Sequence, residues 1–290
     1  MTQTAILIAA PGQLHPTLAE ALRSAWGGAP LRWLAPGEAA EFDLPEVPGN
    51  AGDVWRDLQG QGIDLAVVPA ENRRKRLLLA DMDSTMIGQE CIDELADEAG
   101  VGAEVSAITA RAMNGELDFE GALLARVALL QGLPEGILAE VLERRITLMP
   151  GGPALVATMK AHGAHAALVS GGFTAFAGPI AARLGFNESR ANVLLAENGA
   201  LAGDVARPIL GREAKVAALE ELVARLGIAE ADVLAVGDGA NDLGMLTRAG
   251  MGVALHAKPA VQAEARLKVN HGDLTALLYL QGYEKEAFAA

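Results

Sequence analysis

The chain is poor in three things. It has a single cysteine, Cys91, in 290 residues, so no intramolecular disulfide can form and a reducing, cytoplasmic compartment is expected. Cys91 itself reads as a small buried apolar side chain. The chain is also poor in positive charge: 23 Lys and Arg stand against 37 Asp and Glu, a formal net charge of −14. At long range such a chain repels nucleic acid and anionic membrane surfaces, which argues against both as partners, and any anionic substrate then needs a local positive site. Finally, no stretch approaches the ~18 uncharged apolar residues of a membrane span. The early run AILIAA is too short for that and lacks the basic start of a secretory signal. Repeats and low-complexity tracts are missing as well.

What remains is ordinary globular composition, 51% hydrophobic and 21% charged, long enough for one large domain with an insertion or for two domains. The stretch LLLADMDSTMI, residues 77–87, organises the rest. Leu77 to Ala80 have the character of a strand buried on both faces, and the run stops at two aspartates one residue apart. In an extended segment Asp81 and Asp83 point to the same side and Met82 to the other. Two carboxylates so placed repel each other, which a divalent cation or an unequal division of protons would offset. Read alone, Asp83 or Ser84 could equally cap a following helix. Three later stretches add to the pattern: HAALVSGG at 165–172, ending in Ser170, Gly171 and Gly172; Lys215 at the start of a helical pattern in REAKVAAL; and VLAVGDGAND at 233–242, ending in Asp238 and Asp242. Ligands of open α/β sheets bind at the carboxyl ends of the strands, where all these polar groups fall.

DMDST, SGG, a lone lysine and GDGAND, in that order, resemble the four-motif signature of the haloacid dehalogenase-type phosphatases, and within them the phosphoserine phosphatase family. The resemblance covers about residues 75–280. It implies an α/β fold with a Rossmann-like parallel sheet and an inserted helical cap, with Mg²⁺ as cofactor and O-phosphoserine as substrate. It implies Asp81 as nucleophile, forming an aspartyl-phosphate, and Asp83 as general acid and base. The metal would be held by Asp81, the Asp83 backbone carbonyl and Asp238, with Asp242 behind them. Lys215, Ser170, Gly171 and Asn241 would hold the phosphoryl group. On the cap, Glu90 would take the substrate ammonium and Arg126 its carboxylate, while Met113 and Phe119 would shut the pocket. Arg126 could instead snorkel to solvent, and Met113 and Phe119 could be plain cap core. An Asp83 proton affinity raised by Asp81 and by burial is expected.

Along the chain, strands are expected at 4–10, 31–34 and 63–68, and helices at 15–26 and 53–58, with residues 35–52 only weakly patterned. This order suits a small ferredoxin-like α+β module over residues 1–72, of the topology of amino-acid-binding ACT domains, dispensable for chemistry because every motif lies beyond it. Residues 73–290 form the phosphatase unit. Residues 90–149 read as four short helices, with Gly100, Gly115 and Gly132 as stops and Pro134 opening the last. About sixty residues exceed what a strand crossover requires, so this insertion reads as a lid. Beyond it are expected helices at 153–162, 173–184, 212–226, 241–249 and from 274, strands at 166–169, 233, 253 and 269, and a hairpin over 192–201 turning at Asn198-Gly199.

The expected activity is Mg²⁺-dependent hydrolysis of O-phospho-L-serine, the last step of serine biosynthesis. Alternatives are phosphoryl transfer to homoserine, another small-molecule phosphatase of the same superfamily, a receiver-type phospho-acceptor, or a serine sensor; Asp83 and the cap argue against the receiver. The sequence leaves monomer and homodimer both open.

Overall fold

The computed structural model describes residues 2–113 and 116–289, with the Met113 side chain outside that description. The first sheet comes from β1 (Gln3–Ala9), β2 (Arg32–Ala35), β3 (Ala39–Leu44) and β4 (Ile63–Pro69), with helices α1 (Pro16–Ala25) and α2 (Ala51–Gln59) as crossovers. Its order is β2-β3-β1-β4, all antiparallel, which is the ferredoxin-like arrangement. The weakly patterned stretch thus contains a full strand, β3. Residues of β1 alternate between two cores: Ala5, Leu7 and Ala9 pack with Ala19 and Leu58 of α1 and α2. Ile6 and Ile8 join a second core that includes Leu277 and Tyr279.

The second sheet has β5 (Leu77–Ala80) at its centre, followed by the insertion α3 (Cys91–Glu98), α4 (Gly102–Met113), α5 (Phe119–Ala128) and α6 (Ile137–Arg144). After it come α7 (Gly152–Ala161), β6 (His165–Phe173), α8 (Thr174–Leu184), β7 (Glu188–Asn192), β8 (Leu194–Glu197), β9 (Ala200–Val205) and α9 (Arg212–Leu226). The chain ends through β10 (Val233–Gly237), α10 (Leu243–Arg248), β11 (Met251–Leu255), α11 (Pro259–Glu264), β12 (Leu267–Val269) and α12 (Ala276–Leu280). The order β12-β11-β10-β5-β6-β7 is parallel throughout. From β5 the chain builds outward first to β6 and β7, then returns to the other side for β10 to β12, so β5 borders the topological switch point. Leu78 and Ala80 face the core with α7 and α8, while Leu77 and Leu79 face the one with α9 and α10.

The expected insertion is present as four helices, closed off by Gly100 and Gly132 in left-handed conformations; Gly115 lies outside the described residues. Pro134 does not open α6; it forms a lone bridge with Ala200, and the helix starts at Ile137. The insertion is joined to the sheet by two antiparallel segments, Gly88 N–H to the Thr147 carbonyl (3.0 Å) and Met149 N–H to that of Met86 (2.9 Å). The β8–β9 hairpin turns at Asn198 and Gly199, both at positive φ, as an Asn-Gly pair favours. It pins the insertion a second time through Gly132 N–H to the Leu201 carbonyl and Leu201 N–H to that of Leu133, each 2.8 Å. Strand β7 and helix α11 were not expected, and β6 runs on through Ser170-Gly171-Gly172 to Phe173. Among the described residues no helix is long and apolar enough to cross a membrane.

Candidate active site

The registers Ala80↔Val236 and Ala80↔Leu168 set the ends of β5, β10 and β6 side by side. Asp81 therefore emerges beside Asp238 and Ser170. By alternation it follows Leu77 and Leu79 toward α9, and there it meets Lys215, whose Nζ lies 2.6 Å from Asp81 Oδ1 and 2.5 Å from Asp242 Oδ1. Lys215 and Asp242 are fully buried. The other Asp242 oxygen accepts the Gly239 N–H at 3.0 Å. A Cβ on Gly237 would stand 2.4 Å from the Asp242 carboxyl, so only glycine leaves room for it. One oxygen each of Asp81, Asp238 and Asp242 lie within 4.8 Å of one another.

After Asp81 the strand turns sharply: the Met82 carbonyl accepts N–H groups from Thr85, Met86 and Ile87, and Ser84 sits at φ 53°. The turn leaves Asp83 Oδ1 accepting the Cys91 N–H at 3.0 Å. Its Oδ2 lies against Gly172, where a Cβ would be 2.6 Å away. Ser170 Oγ accepts the Gly172 N–H (2.8 Å), which leaves the hydroxyl hydrogen free to donate.

These groups floor a cavity of about 470 Å³ whose lining includes Asp81, Asp83, Ser170, Gly171, Asp238 and Asn241 below and Glu90, Phe119 and Arg126 from the insertion above. Lys215 and Asp242 lie beneath the floor. Glu90 accepts the Ser84 hydroxyl at 2.7 Å. Arg126, half-buried where it lines the cavity, donates its Nε to the Ala122 carbonyl one turn back at 3.2 Å, and its two Nη groups make no hydrogen bond among the described residues. The Phe119 ring touches both Gly171 and Gly211, where added Cβ atoms would come within 3.1 Å of it.

The carboxyls are crowded. Burial, then Asp242, raise the Asp81 pKa well above the ordinary value, against the pull of Lys215. Burial, then Asp242 and Glu90, raise Asp238 to about 7. Asp83 rises to about 6 through burial first and then the Glu90 charge, while the repulsion between Asp81 and Asp83 adds to the rise of Asp81. Burial opposes the Lys215 charge, but Asp242 and Asp81 outweigh it and its pKa is raised.

No sequence pattern marks Asn192. Buried at the end of β7, it donates to the Gly171 carbonyl (2.8 Å) and the Leu210 carbonyl (3.1 Å) and accepts the Leu210 N–H (2.7 Å), fixing the Ser-Gly-Gly turn against the approach to α9. Asp93, Thr109, Arg212 and Lys258 also line the cavity unforeseen.

The family model for haloacid dehalogenase-like hydrolases matches residues 78–247. A phosphoserine phosphatase of Haemophilus influenzae is 48% identical over 204 residues, 70% of this chain and 65% of that one. The chain spans less than two thirds of the length of several curated relatives it matches, 56% for one from Streptomyces coelicolor. Among solved structures, a HAD family hydrolase of Salmonella enterica serovar Typhi is similar with a TM-score of 0.88 at 30% identity, covering 98% of this chain and 99% of that one. A probable phosphoserine phosphatase of Vibrio cholerae, unliganded, has a TM-score of 0.79 at 33% identity over 98% and 88%.

Proposed function

The chain belongs to the haloacid dehalogenase-like hydrolases, and from that premise we propose that it is a Mg²⁺-dependent phosphoserine phosphatase, acting in the cytoplasm at the last step of serine biosynthesis. The observation that carries this reading is the division of one cavity: carboxyls, Ser170 and Gly171 on its floor, with Lys215 beneath, and on its roof two acids, Glu90 and Asp93, with one arginine, Arg126. A phosphomonoester of an amino acid has that same polarity, a phosphoryl group at one end and an ammonium with a carboxylate at the other.

In this reading Asp81 attacks phosphorus and the bond to the seryl oxygen breaks. Asp83, whose pKa of about 6 suits a group that must both give and take a proton near neutrality, protonates that oxygen. It then takes the proton of the water that hydrolyses the aspartyl-phosphate. Ser170 and the Gly171 N–H donate to phosphoryl oxygens, and Lys215 holds the Asp81 carboxylate in line. Asp81, Asp238 and the Asp83 carbonyl would hold the metal; both Asp242 oxygens are already engaged, which leaves it a supporting part. The clustered oxygen donors and their raised pKa values fit a hard cation. When bound, Mg²⁺ supplies positive charge against these carboxyls and the phosphoryl oxygens. Arg126 and Glu90 select the amino-acid end, and Phe119 closes over Gly171.

The experiment is phosphate release from a panel of phospho-amino acids and sugar phosphates, with and without Mg²⁺ and with homoserine as an added acceptor. Preference for a sugar phosphate, or retention of the phosphoryl group on homoserine, would overturn the assignment.

A further inference from the structure

Two cations at the cavity mouth have no part in the chemistry above. Arg212 opens α9 three residues before Lys215 and so lies on the same helix face. Lys258 stands in the loop leaving β11, the strand beside β10. Both line the cavity, and neither side chain has a hydrogen-bond or salt-bridge partner among the described residues, although the Lys258 charge is near enough to Asp238 to oppose the rise of its pKa. Their surroundings make that notable. Asp81, Asp83, Glu90, Asp93 and Asp238 line the same cavity, and Lys215 is already committed to two aspartates. A phosphate dianion approaching a chain of net charge −14 is repelled until it meets positive charge.

The Lys258 loop is built in an unusual way. His256 lies at φ 46°, a left-handed conformation that a side chain with a Cβ seldom adopts without support. Its N–H donates to the Val269 carbonyl at 2.8 Å. Its ring Nε2 lies 2.8 Å from the Gly272 carbonyl, and since a carbonyl only accepts, Nε2 carries the hydrogen. Gly272 is in turn held from the other sheet. Asp64 of β4, 2% exposed, accepts the Gly272 N–H at 2.8 Å, that of His271 at 3.0 Å and that of Asn270 at 2.8 Å.

We propose that Lys258 and Arg212 form a capture site for the phosphate of the incoming ester, and that Asp64, through Gly272 and His256, is a positioning residue for Lys258. The proposal rests on the phosphomonoesterase reading for its substrate, and it gives the N-terminal sheet a part in the site that no motif reveals. The capture pair reads the phosphate alone, so it acts on every phosphomonoester alike, in contrast to Arg126.

The test uses the full chain, with phosphoserine and an aryl phosphate at low and high ionic strength. Lys258→Ala should lower kcat/KM about tenfold at low salt on both substrates, chiefly through KM, and flatten the salt dependence; Lys258→Arg should retain most of it. An unchanged KM and salt slope in Lys258→Ala would overturn the capture site. Asp64→Asn should raise KM in the same direction in the wild-type background and add nothing further in the Lys258→Ala background. Full additivity, or a lowered melting temperature with no change of KM, would reduce Asp64 to a structural role and sink the positioning claim. Should Asp64→Asn fail to fold, His256→Ala carries the same non-additivity. If the wild type does not hydrolyse phosphoserine, the function above falls separately. The capture site is then read from binding of inorganic phosphate, and equal affinity in wild type and Lys258→Ala overturns it.

Discussion

Both sheets bury acidic side chains, and they treat them in opposite ways. In the antiparallel sheet each one is matched: Asp64 accepts three backbone N–H groups. Glu41 bonds Arg73 at 2.6 Å and also pairs with Arg32; Glu38 accepts the Tyr279 hydroxyl at 2.8 Å and pairs with Lys285. At the parallel sheet Asp81, Asp83, Asp238 and Asp242 share essentially one buried cation, Lys215, and three of them have pKa values pushed upward. A buried acid with a full set of partners holds structure together, whereas a cluster short of positive charge is held in readiness for something that brings it.

The largest effect separating the two kinds of acid is expected at Asp81. Asp81→Asn should cut turnover by more than about 10⁴-fold, because an amide cannot attack phosphorus. Its melting temperature should barely move, since Lys215 keeps Asp242 as a partner. Steady-state kinetics beside a thermal melt decide the matter, and substantial activity would remove the nucleophile assignment. Asp83→Asn should lose less on an aryl phosphate, whose leaving group needs no proton, than on phosphoserine.

Next comes the roof. Arg126→Ala removes a charge-assisted contact worth about 2–5 kcal/mol in such sites, so kcat/KM for phosphoserine should fall about 30-fold to several thousand-fold. An aryl phosphate has no α-carboxylate and should change little. The ratio of the two rates is the measurement, and an unchanged ratio means that the variant impairs lid closure in general.

The floor was readable from sequence because its groups sit at the ends of apolar runs, where side-chain alternation and strand register place them. DMDST and GDGAND announce themselves locally. Asn192 did not, since its work is to span Gly171 and Leu210, and nothing in ESRAN marks it as a strand at all. Strand β3, AAEFDL, was hidden for a related reason: two alanines and two acids have little strand propensity, and it is a strand because β1 and β2 flank it and Arg73 and Arg32 take up Glu41. Lys258 reads in HAKPA as an ordinary loop cation, and the left-handed His256 that aims it depends on a contact from the other sheet. Contacts between sequence-distant segments leave no local pattern.

The expectation that the first 72 residues are dispensable meets the same problem. Ile6 and Ile8 share a core with Leu277 and Tyr279, Glu38 accepts from Tyr279 of α12, and Asp64 accepts from the loop before it. Glu41→Ala leaves Arg73, only 10% exposed, without its carboxylate, and should destabilise the chain by about 3–5 kcal/mol with kcat intact. A chain starting at Arg73 should aggregate. Denaturant melts of the first and solubility of the second check this, and a soluble, active truncation would show that the docking surface is not needed.

The smallest effect is the most specific to the contrast, because it concerns pH. Asp83 and Asp238 titrate near 6 and 7 in the folded chain against an ordinary value of 3.8. Between about pH 4 and pH 7 the folded state thus binds more protons than the unfolded one, so this cluster's contribution to stability falls as pH rises, the reverse of a paired carboxylate. Below pH 4 both states are protonated and above 7 both are ionised, so the slope is confined to that window. Mg²⁺ requires the ionised forms, so its stabilisation should be slight at pH 5 and complete by about pH 7.5. At a concentration of 100 times Kd it is worth about 2.7 kcal/mol, or roughly 4–5 °C in Tm for a chain of this size. Asp238→Asn should flatten the metal-free slope and abolish most of the Mg²⁺ gain, while leaving any stabilisation that comes from Asp64 and Glu41 where it was. The measurement is Tm against pH with and without Mg²⁺ in wild type and Asp238→Asn. A metal-free Tm that climbs from pH 5 to pH 7, or a Mg²⁺ gain equal at both, would mean that the crowded cluster is matched after all.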